Sequence, residues 1–231
     1  MMDGFPFKVD VVRTGRKRSA SIGLLGGLVT VRVPRTLSER LIRDLIAKRT
    51  PWIKRKLQEQ SDRPNIPLKK YVSGELVAYL GKHYRLKVVI GSPPSIKLGR
   101  GCFEATVTKT DSDPTSTIRA LLKVWYRSLA EKRLGEKTVR LAKVVGVNPT
   151  SVTVKDYKSR WGSCSTQGDI SYNWRIILAP HSVVDYVVVH ELCHMLEHNH
   201  SRRYWQHVER HVPNWREYRE WLKHNELAKD L

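Results

Sequence analysis

The chain has 231 residues, 40% of them hydrophobic and 28% charged, which suits a packed globular protein, and no run of roughly 20 apolar residues could span a membrane. Three cysteines without close spacing exclude a disulfide framework and, with a start that lacks a signal-peptide pattern, predict a cytoplasmic protein. The formal net charge of +20 favours polyanionic partners, and the excess lies mainly in the front half, where residues 1–110 carry 23 Lys and Arg against 8 Asp and Glu.

A β-hairpin is the first predicted element. Val29, Val31 and Val33 alternate with other residues, as in a half-buried strand, and the Gly-Gly pair at 26–27 supplies a two-residue turn that tolerates positive φ. We therefore expect two paired strands within residues 19–33.

Two helices are predicted next. Ser38 begins a pattern with apolar residues at helical spacing, and Pro51 is expected to start a second, shorter helix. The segment KRTPWIKRKL across these helices is basic and amphipathic. It fits either a solvated helix face with one buried stripe or a surface that contacts the phosphates of a nucleic acid or a nucleotide, and both interpretations stay open.

A domain boundary is predicted after the next group of elements. A connector precedes four predicted strands, at residues 76–80, 83–90, 95–98 and 102–108. The polar run TDSDPTST then combines turn-forming residues with a helix start at Pro114. We therefore predict a basic N-terminal α+β domain over 1–112 and a second domain over 113–231.

The second predicted domain begins with a long helix over residues 115–144, which Gly146 closes. Strand-like sequence with turns follows over 151–178. Three helices are expected to finish the chain, at residues 182–198, 201–211 and 215–225. A strand-rich first part followed by helices predicts the α+β class.

One motif in the second domain indicates metal chemistry. The segment HELCH, residues 190–194, has the H-E-x-x-H spacing, which places two imidazoles on one face of a helix. The valines before it favour a strand, but in a strand the two histidines would lie about 13 Å apart, too far to share an ion. In a helix their Cβ atoms lie about 5 to 6 Å apart. Because Ser182 and Asp185 also resemble a capping box, we predict a helix.

The third metal ligand is predicted from its reach. His198 lies on the same helical face as His190 but about 12 Å along the axis, so one ion could not contact both while the helix continues. Asn199 tolerates a left-handed helix end, and a chain reversal there would bring His200 back toward the ion. His200 follows His194 by six residues, as in the long H-E-x-x-H-x-x-G-x-x-H pattern, although a glutamate replaces its glycine here. The sequence therefore predicts that these three histidines, at 190, 194 and 200, hold one Zn²⁺.

This ligand set predicts a catalytic site. Three histidines leave a coordination position for water, which distinguishes a catalytic zinc from a closed structural one. Glu191, next to the first ligand, is placed to take the proton of that water as a general base. We therefore expect a hydrolase.

Longer blocks of sequence resemble a known family. The blocks KSRWGSCSTQGDISYNWRIILAP and VVVHELCHMLEHNHSRRYW, with PWIKRKL and YLGKHYRLKV in the front half, are similar to the YgjP-like predicted metal-dependent hydrolases over nearly the full length. These proteins are a branch of the zincin metallopeptidases and resemble SprT proteins in motif. The resemblance implies a basic N-terminal region ahead of a zincin-like metallopeptidase domain, with metal at the same three histidines and Glu191 as the base.

The resemblance also suggests how substrate binds. It implies that a substrate strand adds beside the strand containing Asn173 and Trp174. Arg160 and Asn173 are candidates for orienting the substrate or the oxyanion, with a structural role for the RWGSC turn as the alternative.

Two positions depart from the family near the metal. Members usually have Phe at the position of Tyr204, and Pro or Lys at that of His198. His198 is therefore the departure that could compete for the ion.

Three functions fit these patterns. The motif favours a zinc metallopeptidase that cleaves protein or peptide substrates, including proteins bound to nucleic acid. The alternative is a metal-dependent nucleoside triphosphate pyrophosphatase, an activity also associated with the family. A second alternative is a nucleic-acid-binding module whose basic front half docks on the polyanion and whose zinc is structural.

Overall fold

The computed structural model describes residues 2–16, 19–25, 27–62, 69–225, 227 and 231. The chain forms two compact units, Met1–Pro67 and Leu68–Leu231, and each has its own apolar core. The boundary expected after residue 112 falls inside the second unit, because the strands before it and the helix after it bury their apolar faces in one core. The division into domains 1–112 and 113–231 stays a prediction.

The first unit is a three-stranded sheet with one helix. Its elements are β1 (Val9–Thr14), β2 (Ser21–Leu25), β3 (Leu28–Pro34) and α1 (Glu39–Ser61). The central strand is β3, which is parallel to β1 and antiparallel to β2, so the hairpin prediction is confirmed. In its turn Gly27 has a φ of +78°, whereas Gly26 lies outside the described residues.

The helix α1 corrects one prediction, because it is a single helix that contains Pro51. Ser38 caps it, accepting a hydrogen bond from the backbone N–H of Leu41. An interior proline costs about 3 kcal/mol, but Ile42, Ile46 and Ile53 are fully buried on one stripe that continues in phase past it. Burial of each such side chain contributes about 1.5 to 3 kcal/mol, so the packing outweighs the proline.

The second unit begins with a four-stranded sheet. Its strands are β4 (Leu76–Tyr79), β5 (Lys82–Ile90), β6 (Ser95–Gly99) and β7 (Cys102–Val107), in the spatial order β4-β5-β7-β6. The long helix α2 (Pro114–Val145) follows and packs on β6 and β7. It starts at the cap Asp113 and ends at the left-handed Gly146, so these strands and this helix confirm the predictions.

The remaining elements surround the predicted motif. They are β8 (Ser151–Lys155), β9 (Gly162–Cys164), β10 (Asp169–Asn173), a 3-10 helix (Trp174–Leu178), α3 (His181–Cys193), α4 (Arg202–His211) and α5 (Trp215–His224). The strands form a second sheet in the order β8-β10-β9. Since α3 packs against β9, α4 and α5, it brings residues from all three to one place. Among the described residues, no helix combines the length and the apolar composition that crossing a lipid bilayer requires.

The strand-like interpretation of residues 151–178 is wrong at its end. After Asn173 the chain turns into the 3-10 helix, and the Asn173 side chain accepts a hydrogen bond from the backbone N–H of Arg175. The following apolar residues are buried on successive positions instead of alternating ones. This pattern suits a helical turn in the core better than a strand with one exposed face.

The motif helix α3 is shorter than predicted and differently capped. It begins after Pro180 with no side-chain cap, and Asp185 forms an ion pair with Lys137 of α2 instead of capping. Its end tightens into 3-10-type hydrogen bonds at residues 194–196, so the helix stops at Cys193 and the predicted left-handed turn at Asn199 does not occur. The helix forms despite its valines because they are buried, so tertiary packing overrides their β-propensity.

Candidate metal centre

The three predicted histidines converge. His190 projects from the last turn of α3, His194 follows that helix directly, and His200 comes from the loop before α4. One possible ligand atom from each lies within 4.8 Å of the others, and Nε2 of His190 is 3.3 Å from Nε2 of His200. These residues form a group that could hold a metal ion.

The protonation states of the three imidazoles suit metal binding. Burial lowers the pKa of His190 to about 3, and burial also lowers the pKa values of His194 and His200. All three rings are therefore neutral at neutral pH, and a neutral imidazole keeps a lone pair for a metal. Nδ1 of His194 is 3.3 Å from the backbone oxygen of Glu197, which favours the tautomer with its Nε2 unprotonated.

Helix α4 supports this cluster from one side. Ser201 caps α4 by accepting a hydrogen bond from the backbone N–H of Tyr204. The Tyr204 hydroxyl then donates to the backbone oxygen of His190 over 2.9 Å, and its ring stacks on His194 with centroids 4.5 Å apart. The Trp205 ring stacks on His200 at 5.5 Å. The family resemblance placed Tyr204 near the metal, but this support was not predicted, although an aromatic pair stands four and five residues after the third histidine.

His198 does not join the cluster. Its side chain is exposed, and it borders the cavity beside the cluster without belonging to the group of possible ligands. His198 was excluded as a ligand because a helix reaching residue 198 would place it about 12 Å along the axis from His190. The helix ends at Cys193, so that reason does not apply to the structure.

Glu191 lies directly beside the cluster. Its side chain is only 4% exposed, and burial raises its pKa to about 8, while the positive charge of Arg160 acts in the opposite direction. A Cβ atom added to Gly162 would lie 2.4 Å from Oε1 of Glu191, so β9 passes the carboxyl group more closely than any side chain permits. The close approach explains the glycine in the RWGSC segment.

A cavity of about 790 Å³ connects these groups. Residues of β9, α3 and α5 form its walls, together with Arg160 from the loop before β9. The predicted substrate contact of Arg160 stays a prediction, and its position at the cavity supports it.

Asn173 is placed differently from Arg160. It is buried, and its amide donates hydrogen bonds to the backbone oxygens of Tyr157 and Arg160, at 2.9 and 3.1 Å. Its side chain therefore holds the loop that carries Arg160. The predicted contact of Asn173 with substrate stays a prediction.

The sheet beside the cavity corrects the implied site of strand addition. The strand that ends at Asn173 is β10, which has β8 on one side and β9 on the other. Among the described strands, β8 and β9 each pair with β10 only, so each has an open outer edge, and β9 is the one of the two that lines the cavity. The backbone N–H of Asn173 donates to the oxygen of Trp161, and the N–H of Ser165 donates to the oxygen of Asp169. Hydrogen-bonded and non-hydrogen-bonded residues alternate along an antiparallel strand, so the backbone N–H and C=O groups of Gly162 and Cys164 point away from β10.

Three comparisons with known proteins were informative to different degrees, and the family match covers most of the chain. The family model for the YgjP-like metallopeptidase domain matches residues 18–225. No curated protein matches the chain. Among solved structures, the crystal structure of the metallopeptidase zymogen of Pyrococcus abyssi abylysin is 19% identical over 38% of this chain and 90% of that chain, with a TM-score of 0.36.

Proposed function

Because the chain belongs to the YgjP-like metallopeptidase family and is therefore a metal-dependent hydrolase, we propose that it is a zinc peptidase with one catalytic ion held by His190, His194 and His200. The observation that carries the proposal is the convergence of three neutral imidazoles beside the buried carboxyl group of Glu191, at a cavity with an open strand edge. Protein and peptide substrates suit this family.

The donor set suits zinc. Tetrahedral zinc with Zn–N distances of about 2.0 to 2.1 Å places its ligand nitrogens about 3.3 to 3.4 Å apart. The 3.3 Å between Nε2 of His190 and Nε2 of His200 agrees with that separation. Nδ1 of His190 is buried and has no hydrogen-bond partner among the described residues, whereas Nε2 of the same ring faces Nε2 of His200. Nε2 is therefore the nitrogen of His190 that is placed to bind the ion.

Glu191 is proposed as the general acid and base. When bound, zinc supplies a Lewis acid that lowers the pKa of water and stabilises negative charge on the scissile carbonyl oxygen. Glu191 takes a proton from the attacking water and gives it to the leaving nitrogen of the peptide. A pKa raised to about 8 by burial suits both steps near neutral pH.

The open edge of β9 is proposed to hold the substrate backbone. An extended peptide that pairs with the outward groups of Gly162 and Cys164 lies along the cavity wall beside Glu191. Arg160, whose charge already acts on Glu191, is proposed to orient the substrate or the oxyanion there.

The test combines metal analysis with cleavage of denatured proteins. We expect about one zinc per chain in both the wild type and Glu191→Gln, and a loss of cleavage of about 10²- to 10⁴-fold in the variant. Glu217→Gln, an exposed carboxylate of α5 outside the cavity, is the control and should retain cleavage. A metal-free protein that still cleaves peptides contradicts the proposal.

A second candidate is a nucleoside triphosphate pyrophosphatase, and the observation in its favour is that three cationic side chains line the cavity: Arg160, Arg219 and Lys223. The phosphate oxygens of a nucleoside triphosphate would form charge-assisted hydrogen bonds with these side chains. Release of pyrophosphate that disappears in Glu191→Gln would support this activity. Peptide cleavage with nucleotides untouched would contradict it.

A further inference from the structure

One helix contributes two of the three cavity cations. Arg219, Leu222 and Lys223 of α5 are spaced i, i+3 and i+4, so they share a helix face, and all three line the cavity. The only carboxyl group among the described lining residues is Glu191, which the proposed chemistry uses. The wall that α5 provides is therefore positively charged and attracts anionic groups.

Arg219 differs from the neighbouring bases of α5 because it has no carboxylate partner among the described residues. Arg216 forms an ion pair with Glu209 at 2.6 Å, and Lys223 forms one with Glu220 at 2.6 Å. The Arg219 guanidinium lies over the Trp205 ring instead, at 5.1 Å from its centroid. An aromatic support fixes the guanidinium while leaving its N–H groups available.

Arg219 is also close to the metal cluster. Arg219 and His200 line the same cavity. The Trp205 ring that carries the guanidinium stacks on His200 as well. A group bound to Arg219 would therefore lie in the same cavity as the histidine cluster, on the side of His200.

We propose that the cavity selects peptides with an acidic side chain next to the scissile bond, and that Arg219 binds that carboxylate. This inference rests on the proposed peptidase function and names its substrate class. A guanidinium presents N–H groups in a planar fork that matches both oxygens of a carboxylate. The amide of Asn has the same shape as the carboxylate of Asp but lacks its charge and its second acceptor oxygen, so it cannot form the same pair. Arg219 is then the residue that determines specificity.

The test uses pairs of peptides that differ only by Asp against Asn at each position on either side of the scissile bond. For wild type we expect kcat/KM to favour the Asp peptide by about tenfold or more at one of these positions, because a charge-assisted pair is replaced by a neutral contact. Arg219→Gln should reduce that ratio to near one. Arg219→Glu should reverse it in favour of the matching Lys peptide.

Arg216→Gln is the matched control, since it removes a base from the same helix that does not line the cavity. It should keep the Asp preference. Zinc content and melting temperature of each variant confirm that it is folded. An equal loss for Asp and Asn peptides in Arg219→Gln would assign the arginine to the oxyanion, and a wild type without an Asp preference would also overturn the proposal.

Binding separates this inference from the proposed function. In zinc-loaded Glu191→Gln, Trp fluorescence should report tighter binding of the Asp peptide than of the Asn peptide, and Arg219→Gln in that background should abolish the difference. If the protein does not cleave peptides, the ratio of the affinities for the Asp and Asn peptides can still be measured. Cleavage of Asp and Asn peptides at equal rates would agree with the proposed peptidase function and contradict the proposed selectivity for acidic side chains.

Discussion

The contact between Gly162 and Glu191 fixes where the proposed base can lie. Gly162→Ala places a methyl group 2.4 Å from Oε1 of Glu191, so the carboxyl group must move. We expect cleavage to fall by about 10²-fold or more, because a shift of about 1 Å in a catalytic group has that effect. Cleavage kinetics and zinc content would measure it.

Gly135→Ala is the matched control for this change. Gly135 lies inside α2, and an added methyl group there meets nothing within 4 Å. The same substitution should stabilise the helix by about 1 kcal/mol and leave cleavage unchanged. Equal activity in the two variants would show that the position of Glu191 does not limit the reaction.

Tyr204 is predicted to position His190 through its backbone. Tyr204→Phe keeps the ring that stacks on His194 and removes the hydroxyl that donates to the His190 carbonyl. We expect zinc affinity to fall by about tenfold, as for other groups that hold metal ligands in place. Competition with a chelator measures the affinity, and Tyr218→Phe is the control, since no hydrogen bond is described for that hydroxyl. An unchanged zinc affinity contradicts the role.

Among the individual residues, the H-E-x-x-H spacing predicted His190, His194 and the neighbouring Glu191. His200 was predicted from its spacing of six residues after His194 together with a left-handed turn at Asn199, and the structure does not have that turn. Two imidazoles four residues apart lie together on any helix, and this rule is local. The contacts of Tyr204 with His190 and of Gly162 with Glu191 were not predicted, because they join separate elements and no spacing in the sequence records them.

Among the elements, an ion pair holds the segment after β8 to the 3-10 helix. Asp156 accepts a hydrogen bond from Arg175 and forms a second ion pair with Lys123 of α2. The Arg175 hydrogen bond is the largest cause that lowers the Asp156 pKa, from 3.8 to about 2. Because the folded pKa lies below the ordinary one, this stabilisation is present above about pH 4 and disappears as the pH falls through about 2.

Asp156→Asn tests this link between elements. We expect the free energy of unfolding to fall by about 1 kcal/mol at pH 7, less than the pKa shift alone implies, because the carboxylate is 36% exposed and solvent screens it. The difference from wild type should shrink as the pH falls toward 2. Denaturant unfolding at several pH values measures it, with the exposed Glu131→Gln as control. A difference that is constant with pH contradicts the assignment.

The ends of the helices were predicted correctly for α2 but not for α1 and α3. The start and end of α2 were predicted because a proline, a capping aspartate and a glycine act on the local backbone. The unbroken α1 and the early end of α3 were not predicted. Pro51 is tolerated because buried isoleucines lie on both sides of it, and α3 ends where its backbone hydrogen bonds change to the 3-10 type.

At the scale of the whole molecule, the second unit contains the complete candidate site. Residues 68–231 include the metal cluster, Glu191, β9 and α5, and they have a core of their own. We expect this fragment to fold, bind zinc and cleave peptides at a rate within about threefold of the full chain. Circular dichroism and cleavage assays check this. A fragment that folds and binds zinc but does not cleave would assign a part of catalysis to the first unit.

The first unit carries much of the basic front half for which the sequence left contact with nucleic acid open. Residues 1–67 carry 15 Lys and Arg against 6 Asp and Glu, a net +9, and most of the basic side chains of α1 are exposed. If the peptidase acts on proteins bound to nucleic acid, the full chain should bind DNA or RNA with log affinity falling linearly with log salt, and the 68–231 fragment should bind less tightly. Absence of binding at low salt contradicts this proposal.

The sequence by itself determined the α+β class, most strand and helix positions, and which residues are candidates for holding a metal ion, because alternation, caps and the spacing of residues 190–194 act over a few neighbouring positions. Only the tertiary structure decided which open strand edge lines the cavity, how closely β9 passes Glu191, and that Arg219 lines the cavity without a carboxylate partner among the described residues. These properties depend on contacts between residues far apart in the chain. Local sequence patterns carry no information about which distant residues will meet.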